Sequence, residues 1–390
     1  TIVVNDVAPT ISYGSTSLTL EKGTTMTTET PTVGGGTITS WSVSPSLPAG
    51  LSLDSSTGAI SGTPSAVTSS ASYTITATNT GGSDNATITI VVNDIAPVIS
   101  YSTSSFTLTK GTAMTTTSPT STGGTVVTWS VSPSLPAGLS LDTSTGVLSG
   151  TPTAVTSSAS YTITATNTGG TDTASVTIVV NDVVPTITYS STSLTLTRNT
   201  PMTTLTPTTS GGTITSWSVS PSLPAGLSLD SSTGAISGTP SAVTSSAYYT
   251  ITATNTGGSD TATITIVVND IAPNISYGTS SFTLTKGTAM TTTPAISIGG
   301  TVVTWSVSPS LPAGLSLSSS GALGGTPTAV TSSATYTITA TNTGGTDTAS
   351  VTIVVNDVIP SDLDYSPNTF TLTKGTQMTT VTPTANGGTI

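Results

Sequence analysis

Along much of the chain, apolar residues alternate one for one with Ser or Thr. The pattern is plain in Tyr73-Thr74-Ile75-Thr76-Ala77-Thr78 and again in Ala86-Thr87-Ile88-Thr89-Ile90, which runs into Val91-Val92. A period of two puts the apolar side chains on one face of an extended strand and the hydroxyls on the other. With the turn Asn79-Thr80-Gly81-Gly82-Ser83-Asp84 between them, these segments predict a half-buried antiparallel hairpin. Leu51-Ser52-Leu53 and Ala59-Ile60-Ser61-Gly62 flank a second turn, Asp54-Ser55-Ser56-Thr57-Gly58, and predict another. Trp41 and Val43 share one strand face, and Leu18 and Leu20 share another. No segment carries a helical period, so no helix is expected.

The pattern repeats. Trp41, Trp129, Trp217 and Trp305 are 88 residues apart each time, as are Met26, Met114, Met202, Met290 and Met378. The sparse basic residues Lys22, Lys110, Arg198, Lys286 and Lys374 fall in one column too. Residues 36–97 and 212–273 differ only at Ser72 against Tyr248 and Asn85 against Thr261. Leu18 and Leu194 alternate with Phe106 and Phe282, which points to a doubled unit copied as a whole. Self-similarity at this period is the signature of stacked domains. The expected organisation is a closing strand at 1–6, repeats at 7–94, 95–182, 183–270 and 271–357, and the start of a fifth at 358–390. Gly23 is replaced by Asn199 in the third repeat; Gly and Asn share a tolerance of positive φ, so the column is predicted to be a left-handed turn. Pro9, Pro97, Pro185, Pro273 and Pro360 follow each closing strand and stiffen the link to the next repeat.

About seven short strands and one central Trp per repeat predict a two-sheet immunoglobulin-like sandwich. The fold class is therefore all-β, tandem Ig-like sandwiches arranged as an extended rod. The Trp column is assigned to the sandwich core rather than to a sugar-stacking platform, and the Met column to core filling.

Composition narrows the chemistry. Only 5% of the 390 residues are charged and the formal net charge is -11, with no Cys and no His. Missing Cys and His removes the commonest nucleophile–base pairs and zinc ligands. An acidic balance argues against nucleic acid, whose phosphates need basic surface. No stretch of about 20 mostly apolar residues is present to span a bilayer. The acids sit at turn columns rather than as facing pairs, so glycoside hydrolysis is not expected. Two N-glycosylation sequons, at Asn85 and Asn274, do not recur in their columns and are read as chance.

The stretches Ser46-Leu47-Pro48-Ala49-Gly50-Leu51-Ser52-Leu53-Asp54, Thr57-Gly58-Ala59-Ile60-Ser61-Gly62-Thr63-Pro64 and Tyr73-Thr74-Ile75-Thr76-Ala77-Thr78-Asn79 recur in all four complete repeats. They resemble the dystroglycan-type, cadherin-like Ig repeats of bacterial and archaeal surface proteins. Repeat four departs from the motif, with Ser318 for Asp and Gly324 for Ser. The resemblance implies large secreted or surface-anchored proteins with scaffolding or adhesive roles, and no particular ligand.

The linker Val92-Asn93-Asp94-Ile95-Ala96-Pro97 looks like the calcium junction of cadherins, where an Asn-Asp pair precedes Pro. Two readings stay open there: a plain turn, or a calcium site. The calcium candidates are Asn5, Asp6 and Asp84; Asn93, Asp94 and Asp172; Asn181, Asp182 and Asp260; and Asn269, Asp270 and Asp347. In an Ig sandwich the last hairpin lies at the same end as the first strand, so each hairpin Asp is expected to approach the preceding linker, with carbonyls and water completing the six to eight oxygens. Against calcium, Val91 and Ile95 stand where the cadherin pattern has Asp and Asn. The Lys22 column is read as a solvated turn, because Arg198 cannot make a lysine–asparagine cross-link. The Asp54 column is read as a turn cap.

The functional expectation is a non-catalytic extracellular fibre or adhesin stalk. The alternative is a calcium-dependent or glycan-binding adhesin. Expected partners are neighbouring repeats, copies of the same chain, or cell-surface and matrix glycans, with no nucleic acid and no membrane span.

Overall fold

Eight strands build the first complete repeat: β1 (Thr10–Tyr13), β2 (Ser17–Glu21), β3 (Pro31–Gly34), β4 (Ser40–Ser44), β5 (Leu51–Leu53), β6 (Ile60–Gly62), β7 (Thr68–Asn79) and β8 (Gly82–Asn93). The computed structural model describes residues 1–388. Among them there is no helix. The chain divides into two units, Thr1–Val183 and Val184–Ile390.

One layer of the repeat is a four-stranded sheet in the order β2-β8-β7-β4. Its core is the long β7–β8 hairpin that the alternation predicted, with Tyr73 opposite Ile88 and Ile75 opposite Ala86. β4 joins β7 antiparallel, with Trp41 opposite Ala77. β2 joins the far side of β8 parallel, with Leu18 opposite Ile90. The second layer pairs β1 with β3 and β5 with β6. Backbone bonds from Met26 and Glu29, in the segment leading into β3, to Gly62 and Ile60 of β6 bring the two pairs into one layer. These are the two sheets of an Ig sandwich, with Trp41 on the strand where that fold carries its central tryptophan. The sequence predicted seven strands; the eighth arises because the first strand splits at Gly14 and contributes β1 to one sheet and β2 to the other. A bulge between Thr68 and Ala71 bends β7 as it leaves the sheet.

The other complete repeats have the same order, and all four long hairpins keep the same register and bulge. In repeat four, Met290–Thr293 forms a further strand against Leu323–Gly325 where the first three repeats make a single bridge. Beyond the fourth repeat, Ser361 pairs with Asn386 and Asp364 with Thr384.

Each core is small and centred on the hairpin. Ile75, Ile88 and Ile90 are fully buried in the first repeat, as are Ile251, Ile264 and Ile266 in the third. Burying such a side chain contributes about 1.5–3 kcal/mol. Met26 and Met114 are buried in these cores. The predicted left-handed column is present, with φ of 82° at Gly23, 79° at Gly111 and Gly287, and 60° at Asn199.

Candidate functional site

The linker between repeats is not a free tether. Where repeat one meets repeat two, Asp94 is buried and its carboxylate accepts two backbone bonds, from Ile95 N–H at 3.1 Å and from Thr125 N–H at 3.1 Å. The Asp94 N–H donates to Thr168 Oγ1 at 2.9 Å. Asn167 Nδ2 donates to the Ile95 carbonyl at 2.6 Å, and Gly124 N–H donates to the same oxygen at 3.1 Å. Thr168 and Asn167 sit in the turn of the long hairpin, and Thr125 follows the Gly-Gly loop after the strand Pro119–Gly123. Two loops of repeat two therefore grip the end of repeat one's closing strand. Hydrogen bonds to a charged acceptor contribute about 1.5–3 kcal/mol each, so the grip is substantial.

The same geometry recurs between repeats three and four. The Asp270 carboxylate accepts from Ile271 N–H at 2.8 Å and Thr301 N–H at 3.0 Å, and the Asp270 backbone N–H donates to Thr343 Oγ1 at 2.8 Å. Asn342 Nδ2 reaches the Ile271 carbonyl at 2.7 Å. Ahead of repeat one, Asp6 accepts from Val7 and Thr37 N–H, both at 2.9 Å, and Asn79 Nδ2 donates to the Val7 carbonyl at 2.7 Å. Asp182 is buried and accepts from Val183 N–H at 3.0 Å.

Glycine is required where the hairpin turn meets the linker. A Cβ on Gly169 would lie 2.0 Å from the Asp94 carbonyl oxygen, and one on Gly344 would lie 2.0 Å from that of Asp270.

The hairpin aspartates do other work. Asp84, Asp172, Asp260 and Asp347 each accept the backbone N–H of an early residue in their repeat's first strand: Ile11, Ile99, Ile187 and Ile275, at 2.7–2.8 Å. They pin that strand to the hairpin, just beyond the linker. The asparagines Asn93, Asn181 and Asn269 serve through their main chain, their carbonyls accepting from Lys22, Lys110 and Arg198 N–H at 2.9 Å; Asn5 is exposed. Among the described residues no three Asp or Glu side chains come together in a group able to hold a metal.

The basic column is not merely solvated. Lys22 Nζ stands 3.7 Å from Asp94 Oδ1, Arg198 Nη2 2.9 Å from Asp270 Oδ1, and Lys286 Nζ 3.9 Å from Asp357 Oδ1. Lys22 and Lys286 keep the solvent exposure expected of a solvated turn residue, but the acidic partner was not foreseen, because it lies some 70 positions downstream and is invisible to local pattern.

The tryptophans lie against the turn that follows β5. A Cβ on Gly58 would be 2.5 Å from the Trp41 ring, and Gly146, Gly234 and Gly321 stand equally close to Trp129, Trp217 and Trp305. The carbonyls of these glycines accept Tyr13, Tyr101, Tyr189 and Tyr277 hydroxyls. Burial pushes all four phenols up to about 12, with Glu29 adding to the effect at Tyr13. Trp129 and Trp217 are buried, at 4% and 8% exposure, and Trp41 and Trp305 are half-buried. Open clefts of about 450 Å³ and about 350 Å³ lie beside Trp41 and Trp217.

A family model matches residues 1–93, 96–181, 184–269 and 272–356, one match per repeat, under the description "Putative Ig domain" (He_PIG). The chain belongs to the He_PIG family. No curated protein sequence matches it. Solved structures resembling it include Sidekick-1 immunoglobulin domains 1–5, at 16% identity and TM-score 0.34, covering 88% of this chain and 81% of that one. The N-terminal eight Ig domains of Down Syndrome Cell Adhesion Molecule give 16% identity and TM-score 0.35 over 90% of this chain, which spans about half (49%) of that structure. Extracellular domains 3–5 of Drosophila OTK give 15% identity and TM-score 0.31, over 66% of this chain and 97% of that one.

In these He_PIG repeats the Asp54 column caps a turn. Asp54 Oδ1 accepts from Ser56 Oγ at 2.6 Å and from the Ser56 and Thr57 N–H groups at 2.8 and 2.9 Å. Those bonds, the Ser56 hydroxyl first, lower its carboxyl to about 2. The turn lock is therefore complete above the ordinary carboxyl range and is lost as pH falls toward 2. In repeat four the shortened turn substitutes Ser318 Oγ, which accepts from Ala322 N–H at 2.9 Å.

The junction residues that the sequence reading passed over are Asn79, Asn167 and Asn342 with their Thr neighbours. Their signal was present: Asn-Thr-Gly-Gly recurs unchanged at 79–82, 167–170, 255–258 and 342–345, whereas the next residue varies between Ser and Thr.

Proposed function

We propose that this chain is a non-catalytic structural segment, the stalk of an extracellular fibre or cell-surface adhesin, whose repeats are joined by protein hydrogen bonds rather than by calcium. The carrying observation is the linker grip: Asp94 and Asp270 end one repeat and satisfy backbone donors of the next. A flexible tether would not need such a grip, and a stalk does. Calcium coordinates oxygens. At these linkers the carboxylates face N–H groups and, through Lys22, Arg198 or Lys286, a side-chain cation. Near-identity of 36–97 and 212–273 supports one mechanical job done repeatedly. Location is tested by labelling intact cells that make the whole protein with antibody raised against this chain. Surface labelling that mild external protease removes is the expected result. Labelling that appears only after permeabilisation contradicts an extracellular stalk.

A further inference from the structure

The four-stranded sheet of each repeat turns one face to the core and the other to solvent, and the solvent face is a field of hydroxyls. In repeat three the outward positions of the strands Ser216–Ser220, Thr244–Asn255 and Gly258–Asn269 carry no charged side chain; Asp260 points inward to bind Ile187 N–H. One outward residue is unlike the rest. Tyr248 is 73% exposed, while its neighbour Tyr249 is buried at 6%.

The register defines its surroundings. Tyr248 lies opposite Thr265, which is opposite Ser193 on the next strand. One step along, Thr250 lies between Thr263 and Ser220, and the Thr250 and Thr263 hydroxyls are 3.5 Å apart. An exposed aromatic ring thus stands at one end of a ladder of neutral donors and acceptors on adjacent strands about 4.8 Å apart.

We propose that this face of repeat three binds a neutral polysaccharide, with Tyr248 as its stacking platform. A sugar ring is apolar on its C–H faces and hydroxylated at its edge. The tyrosine ring matches the former, and the Ser and Thr hydroxyls match the latter, each able to donate and accept. The lack of charge on the face selects a neutral glycan over an acidic or basic one. Repeat one supplies a natural comparison. Over 36–97 it differs from 212–273 only by Ser72 and Asn85, and its edge strand Ser17–Glu21 puts Glu21 on the outward face where repeat three has Thr197, so it has most of the hydroxyl field without the ring. The proposal deepens the surface-protein reading, which gives it a setting, but the site rests on the geometry of repeat three alone.

The test is retention of the whole chain on suspended microcrystalline cellulose and chitin and in gels containing soluble neutral glucans and mannans. Retention on at least one is expected, about fivefold weaker in Tyr248→Ser and stronger in Ser72→Tyr. Both substitutions place a residue that the sister repeat already carries, so unchanged melting is expected and folding failure does not cloud the comparison. No retention on any neutral polysaccharide overturns the proposal, as does equal retention by Tyr248→Ser. Sedimentation showing self-association that Tyr248→Ser abolishes would assign the face to a second copy of the chain and overturn it as well. A chain found on the cell surface that fails these assays loses this proposal only; a chain that binds but is found inside cells loses the stalk reading only.

Discussion

Replacing Asp270 by alanine is expected to unlock the junction between repeats three and four. The carboxylate there is 7% exposed and ion-paired at 2.9 Å with Arg198, whose side chain is 28% exposed. It also accepts the Ile271 and Thr301 N–H groups. Removing it leaves a partly buried guanidinium and two amides without their acceptor. The Arg198 Nε is already buried with no hydrogen-bond partner, so the guanidinium's stabilisation is concentrated in this pair. Breaking a buried pair costs about 3–5 kcal/mol; partial exposure of Arg198 brings the expectation to about 3 kcal/mol. For a domain of this size that is a fall of roughly 10–20 °C. Calorimetry of the whole chain checks it, because near-identical repeats melt together and a weakened one separates as an earlier transition. Asp94→Ala should fall less, since Lys22 is 42% exposed and its Nζ stands 3.7 Å away. Equal shifts in the two variants, or none, would contradict the role given to the ion pair.

The second large effect comes from one methyl group. Gly234 has φ of 72°, its carbonyl accepts the Tyr189 hydroxyl at 2.6 Å, and a Cβ there would sit 2.6 Å from the Trp217 ring. Alanine in the left-handed region costs about 1–2 kcal/mol. Overpacking against a buried aromatic ring adds about 1–3 kcal/mol. Gly234→Ala is therefore expected to destabilise repeat three by about 3 kcal/mol, read in the same calorimetric experiment and as a change in tryptophan fluorescence. Gly287→Ala is the control. Its φ is 79° but a Cβ would meet nothing within 4 Å, so only the backbone cost of about 1 kcal/mol remains. Asn199 occupies that column in repeat three, which shows that it tolerates a side chain. A Gly234→Ala cost no larger than that of Gly287→Ala would remove the Trp–Gly–Tyr contact from the account.

What the sequence revealed and what it hid divide along contact distance. The period-two runs gave the hairpin Thr68–Asn79 with Gly82–Asn93, because alternation is a property of neighbouring residues. The Gly23 column was legible for the same reason: Asn199 exposed the positive φ by being the other residue that accepts it. The hairpin aspartates were placed at the correct end of the sandwich, yet their bonds to Ile11, Ile99, Ile187 and Ile275 were not foreseen. Nor was the grip of Asn167 and Thr168 on the linker, or the reach of Arg198 to Asp270. Each joins residues more than 70 positions apart, and local pattern carries no information at that range. Only the unchanged recurrence of Asn-Thr-Gly-Gly marked the place.

The central claim is that repeats one and two, and repeats three and four, are held by hydrogen bonds to linker aspartates that are ion-paired within their own repeat, without a metal. It is tested most directly by thermal unfolding of the whole chain, first with calcium and then with excess chelator. The account predicts the same melting temperature in both, with Asp270→Ala lowering it equally in each. A rise of many degrees in calcium that chelator reverses and Asp270→Ala abolishes would contradict it.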